Sequence, residues 1–160
     1  MSKPRKKYLP RAINPLAGFA AIQGAHDRAD RKNPLTSDQS TDLGLAYRLA
    51  FDAMCTGHAS EEHWAVVACS LNIAAALSNA EIGGEYQEAI DRALAGAFRS
   101  KLRASSGNGW GFDGEAMTAI KFALDVHDAQ IEEASKQELV DAIAEVHRRA
   151  NEGIIFKDEA

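Results

Sequence analysis

Three groups of residues in this 160-residue chain have the side-chain types for chemistry. The first is Cys55-x-x-His58 followed by His63, with Cys69 further on, a soft-ligand set of the kind that holds zinc. His63 and Cys69 lie six residues apart and face different sides of one helix, and no second Cys or His pair completes four ligands. The expectation is no metal and no other cofactor. The second group is Gly109-x-Gly111-x-x-Gly114, which spells a dinucleotide fingerprint. That fingerprint works only between a strand and a helix of a parallel βαβ unit, whereas helical sequence precedes it here. A tight connection is expected instead, with Trp110 and Phe112 turned into the core and Asp113 capping the next helix. The third is His127 and Asp128 with Glu132 and Glu133, an acid–base cluster without a partner nucleophile in a recognisable turn. His127 falls in an apolar stripe and reads as a core or interface histidine. No catalytic residue is assigned, and a non-enzymatic protein is expected.

A different chemistry is written at the N-terminus. Lys3, Arg5, Lys6, Lys7 and Arg11 fall within eleven residues that contain no acid, interleaved with Tyr8, Pro4 and Pro10. Such an arm is flexible and extended; its cations can lie along phosphates and Tyr8 can stack on a base. The remaining chain holds 13 basic and 23 acidic residues, so the net charge of -5 hides a bipolar layout. Acids gather toward the other end, with twelve against five Lys and Arg over residues 113–160. Asp128, Glu132, Glu133, Glu138, Asp141 and Glu145 are the candidates for an acidic helical face that contacts a protein partner.

These groups must be carried by helices, because strand-type alternation is nearly absent. The organising stretch is Ser60–Leu77, apolar on almost every side and opened by Ser60 with Glu61 and Glu62 at the positive end of the dipole. Its apolar run is about 14 residues, short of the roughly 20 a membrane span needs, so it is expected at the centre of a bundle. A helix over 41–56 precedes it, with Leu45, Leu49 and Met54 inward and Gly57 as its stop. Gly83-Gly84 breaks the chain before a third helix over 85–103, with Tyr86, Ile90, Ala93, Leu94, Ala97 and Phe98 inward. A fourth begins near Asp113 with Met117, Ile120, Leu124, His127 and Ile131 as its stripe, widened by Phe122 and Val126. Ser135-x-x-Glu138 is a capping box that favours a break near Ala134 and a fifth helix over 136–151; the alternative is one continuous helix of nearly 40 residues, because no glycine or proline falls between Glu115 and Glu152. Residues 28–40 read as a polar linker, and a short helix between Pro15 and His26 is weakened by Gly18 and Gly24. Ile154-Ile155-Phe156 forms an apolar tail expected to dock on the body or on a partner.

The segments KPRKKYLPR (3–11), HASEEHWAVVACSLNIAAALS (58–78) and LDVHDAQIEEASKQELVDAI (124–143) resemble a family of small uncharacterised proteins from phages, prophages and other mobile elements of proteobacteria. The resemblance implies a mobile-element accessory protein and carries no assigned activity or functional residue with it. The expectations are therefore an all-α protein, residues 1–40 as arm and linker and 41–160 as a bundle of four to five helices. Lys3, Arg5, Lys6, Lys7, Tyr8 and Arg11 are the nucleic-acid-binding candidates, DNA or RNA, and a host protein captured by the acidic face is the alternative. A cytoplasmic location follows from the lack of a secretory segment and from two reduced thiols, Cys55 and Cys69. The long fourth and fifth helices and the apolar tail also suggest a homodimer.

Overall fold

A computed structural model describes residues 30–154; the arm, the short helix expected before His26 and the tail beyond Ile154 lie outside them. The described residues form five α-helices: α1 (Ser37–Thr56), α2 (Glu61–Asn79), α3 (Gln87–Ser105), α4 (Gly114–Glu133) and α5 (Lys136–Asn151). Single 3-10 turns precede α1 (Asp30–Lys32) and α3 (Gly84–Tyr86). No strand is found among the described residues, only an isolated bridge between Pro34 and Ser135. The chain is an all-α bundle, and α2 packs against each of the other four helices.

That central place follows from composition. Val67, Leu71, Ile73, Ala74 and Leu77 are within 1 % of complete burial, and the small side chains of Ala75, Ala76 and Ser78 let neighbours close on the remaining sides. Its two interior polar groups are satisfied locally: Ser70 Oγ donates to Val66 O and Asn72 Nδ2 to Ala68 O. The helix starts after Ser60 in extended geometry, whose backbone N–H is accepted by His63 Nδ1 at 3.0 Å. His63 is thus a helix cap, and its ring is oriented by the chain that begins the helix.

Helix α1 starts four residues earlier than its hydrophobic pattern suggests, inside the stretch that reads as linker. Thr36 and Gln39 form a capping box: Thr36 Oγ1 accepts from Gln39 N–H, and Gln39 Oε1 accepts from Thr36 N–H. Gly57 ends the helix in the left-handed region, as expected, at φ 80°. The inward face differs from expectation. Leu45 and Leu49 are each 56 % exposed, whereas Met54 is buried as expected, together with Tyr47 and Ala50. The stripe is set by Tyr47 at 3- and 4-residue spacing, because its ring packs by His127 and its hydroxyl donates to Asp128 of α4. Phe122 and Tyr86, expected inward, are likewise exposed and meet edge-on with centroids 6.0 Å apart.

Helices α3 and α4 approach closely at Gly96. A Cβ built there would stand 2.7 Å from Ala116 Cβ and 3.0 Å from its Cα, so the contact exists because one residue has no side chain. Gly96→Ala gains about 1 kcal/mol of helix propensity but overpacks this contact by about 2 kcal/mol, for an expected net loss of about 1 kcal/mol. A lower urea midpoint at unchanged m-value would show it, and a raised midpoint would mean that the helices separate freely.

The α4–α5 junction confirms the break near Ala134, which adopts extended geometry. Ser135 Oγ accepts from Glu138 N–H, and Glu138 Oε2 accepts from Ser135 N–H at 2.7 Å. The segment before α1 clamps this elbow. Lys136 N–H donates to Asn33 O at 2.8 Å, and the Lys136 ammonium, 4 % exposed, pairs with Asp30 at 2.7 Å.

Candidate functional site

The acid–base cluster of α4 resolves into two structural units. Asp128 accepts from the buried Tyr47 hydroxyl and from Arg48 Nη2 at 2.6 Å, and the same Arg48 nitrogen bonds Asp125 at 2.6 Å. Burial, with Asp128 beside it, raises the Tyr47 phenol above its ordinary value. His127, 1 % exposed, lies inside, its Nδ1 3.4 Å from Gln130 Oε1. Burial lowers its pKa to about 4, so the ring is neutral at physiological pH. Gln130 Nε2 donates to Ala74 O at 3.0 Å and Ile82 O at 2.8 Å, tying α4 to α2 and to the turn that follows it. These groups orient one another and hold three segments together.

Replacing Gln130 by Leu keeps the bulk but strands the Ile82 carbonyl in an apolar setting. A loss of about 2 kcal/mol is expected. Protection of the amides over 80–86 from hydrogen exchange should fall with it; unchanged exchange there would show that the side chain does not hold this turn.

The other sequence candidates also find structural places. Asp113 caps α4, accepting from Ala116 N–H at 2.7 Å, and pairs with Arg99 and Arg103, both 3.2 Å away. The Arg99 guanidinium, with the cap bond and Arg103 behind it, holds this carboxyl down at about 2. Phe112 is buried, its N–H donating to Met54 O at 3.3 Å, and Trp110 stacks by Trp64 at 5.7 Å. The glycine-rich stretch is therefore a connection between α3 and α4, as its context predicts. Cys55 and Cys69 are half-buried, and burial pushes the Cys69 thiol up to about 11. Among the described residues no three His, Cys, Asp or Glu side chains converge as a metal set.

Of the acidic-face candidates, Glu138 is spent on the α5 cap, Asp128 on Tyr47 and Arg48, and Asp141 accepts from Gln137 at 2.8 Å. Glu145 takes two bonds from Arg148, at 2.8 and 2.9 Å, which lower its pKa. Glu132 and Glu133 project from the surface, Glu132 at the edge of a shallow depression of about 410 Å³ beside Leu45, Ile131 and Arg48. The proposed nucleic-acid contacts Lys3, Arg5, Lys6, Lys7, Tyr8 and Arg11 all lie outside the described residues.

One larger concavity was not legible from the sequence. A groove of about 530 Å³ runs along α2 between α3 and α5. Its floor is narrow-waisted because α2 presents Ala68 and Ala75 there, and Leu94 and Phe98 of α3 and Val146 of α5 form apolar walls. Trp64 stands in it, its Nε1 donating to Ala97 O at 2.8 Å, with Lys101 Nζ 5.0 Å above the ring. Arg149 and Ile154 line the opposite wall. Gln87 Nε2 donates to Asp91 at 2.9 Å, while Gln87 Oε1 is buried in the same groove without a hydrogen-bond partner among the described residues.

Compared with known proteins, the chain matches no family model, no curated protein sequence and no solved structure.

Proposed function

We propose that the protein is a non-enzymatic accessory protein of a phage or mobile element that binds nucleic acid through Lys3, Arg5, Lys6, Lys7, Tyr8 and Arg11. The observation that supports this reading is where the other cations are spent. Arg48, Arg92, Arg99, Arg103, Lys136, Arg148 and Arg149 each lie within 4 Å of a carboxylate of the body. Those pairs engage seven of the body's cations, Arg149 loosely, in a body that holds 13 basic and 23 acidic residues, whereas the arm brings five cations with no acid among them. Phosphates supply a linear array of anions at a spacing an extended arm can follow, and each contact releases a counterion. The helical bundle then acts as the carrier of the arm. No helix among the described residues is long and apolar enough to cross a membrane. The test is binding of the full chain and of a chain lacking residues 1–11 to labelled single- and double-stranded DNA and RNA across a salt series. Equal binding by the two proteins overturns the reading.

Leu45 and Leu49 favour a second reading. They are exposed one turn apart on α1, with Glu132 at the edge of the same depression as Leu45, a mixed apolar and acidic surface suited to a protein partner rather than to phosphate. Because Glu138 caps α5, charge reversal confined to Glu132 and Glu133, together with Leu45→Asp, tests that surface without loosening the helix. Capture of a host protein that survives these changes would dispose of it.

A further inference from the structure

The groove along α2 has an occupant of matching chemistry close by. Ile154 lines its α5 wall and its backbone N–H is bound to Arg149 O at 2.8 Å, so the chain leaves the described structure at the groove's own edge. The next residues are Ile155 and Phe156, then Lys157, Asp158 and Glu159. Across the trough stand an apolar lining with two aromatic rings, Trp64 and Phe98, and the cation Lys101, while a second cation, Arg149, lies on the Ile154 side. The geometry points to residues 155–159 as the segment that fills this groove: Phe156 enters between Trp64 and Phe98, and Asp158 and Glu159 meet Lys101 and Arg149.

Reach and chemistry both support the assignment. Five extended residues span up to roughly 17 Å, which carries the chain from the α5 wall over α2, packed roughly 10 Å from α5, toward the Lys101 side. Arg149 has only a loose pairing with Glu145, 3.7 Å from Nε, because Arg148 already binds both oxygens of that carboxylate. Lys101 lies over an aromatic face rather than beside a carboxylate. Both cations are therefore available to an acid arriving from outside the bundle. A benzyl side chain set between Trp64 and Phe98 covers apolar surface that α3 and α5 leave open on either side of α2.

The test compares the full chain with Phe156→Asp by NMR, following the Trp64 indole N–H and the methyl groups of Leu94 and Val146. If the segment lies in the groove, these resonances move in Phe156→Asp while the far-UV helix signal is unchanged. A synthetic peptide of residues 154–160 added to the variant then restores them, and its affinity falls roughly fivefold when Lys101 is replaced by Glu, the loss of one half-exposed ion pair. Identical spectra of the full chain and Phe156→Asp would overturn the assignment. So would spectra of the full chain that change with protein concentration, which would place a second copy in the groove, or equal binding of a scrambled peptide, which would leave only a general affinity for acidic apolar segments.

Discussion

Raising salt from 50 to 200 mM should weaken binding of the full chain to duplex DNA roughly 500-fold, if the five arm cations each neutralise one phosphate. The figure follows from a slope of about -0.9 per contact in log K against log salt, applied to a fourfold change in concentration. Removing residues 1–11 should take away both the affinity and the slope, because what remains holds 23 acidic against 13 basic residues, and Arg48, Arg99, Arg103 and Arg148 are held in ion pairs with its own acids. Single-stranded nucleic acid has a shallower slope, about -0.7 per contact, and adds Tyr8 as a stacking platform. Tyr8→Ala should therefore weaken single-strand binding more than duplex binding. A duplex slope near -1 or smaller would mean that the arm does not track the backbone, and a steep slope retained without it would move the site to the body.

Acid should destabilise the bundle well above the usual carboxylate range, by about 3 kcal/mol between pH 7 and pH 4. The cause is His127, whose pKa of about 4 in the folded protein compares with about 6.5 in the unfolded chain. Between those values the unfolded state binds the proton and the native state does not. Stability is therefore complete above about pH 6.5 and falls as pH drops toward 4. Tyr47, Asp128, Arg48 and Gln130 surround the ring; the Gln130 amide oxygen and Asp128 favour an imidazolium, but burial outweighs both, and Asp128 is already bonded to Tyr47 and Arg48. In His127→Leu the slope of stability against pH from 6.5 to 4.5 should flatten, whatever the variant's absolute stability. Asp113 acts in a separate, lower window: its depressed pKa contributes stability above about pH 4 that is lost as pH falls through about 2. An unchanged slope in His127→Leu would show that the ring titrates in the native state without penalty.

How far the sequence reveals this molecule depends on whether the deciding partner is local. The α4–α5 break is legible because Ser135 and Glu138 satisfy each other's backbone across three residues. The central position of α2 is legible because no side of it could be left in water. The face of α1 is not, since two stripes compete there. Leu45 and Leu49 outweigh Tyr47 and Ala50 on hydropathy alone, yet Tyr47 wins through Asp128, 81 residues away. Phe122 misleads for the same reason, being apolar at a position whose neighbour, Tyr86, is also half in solvent. The groove escapes detection because its lining comes from three helices and its depth comes from alanines, which carry no motif. The arm is the opposite case, a composition signal that needs no fold to be noticed.

The two tryptophans of the protein, Trp64 and Trp110, sit with ring centroids 5.7 Å apart, where the start of α2 meets the connection between α3 and α4. Indole fluorescence is thus one local signal with two chromophores that share excitation, and it reports on that corner alone. Helical circular dichroism averages over all five helices. A denaturation followed by both would separate loss of that corner from loss of helix elsewhere, and would show whether the bundle melts as one cooperative unit or as two.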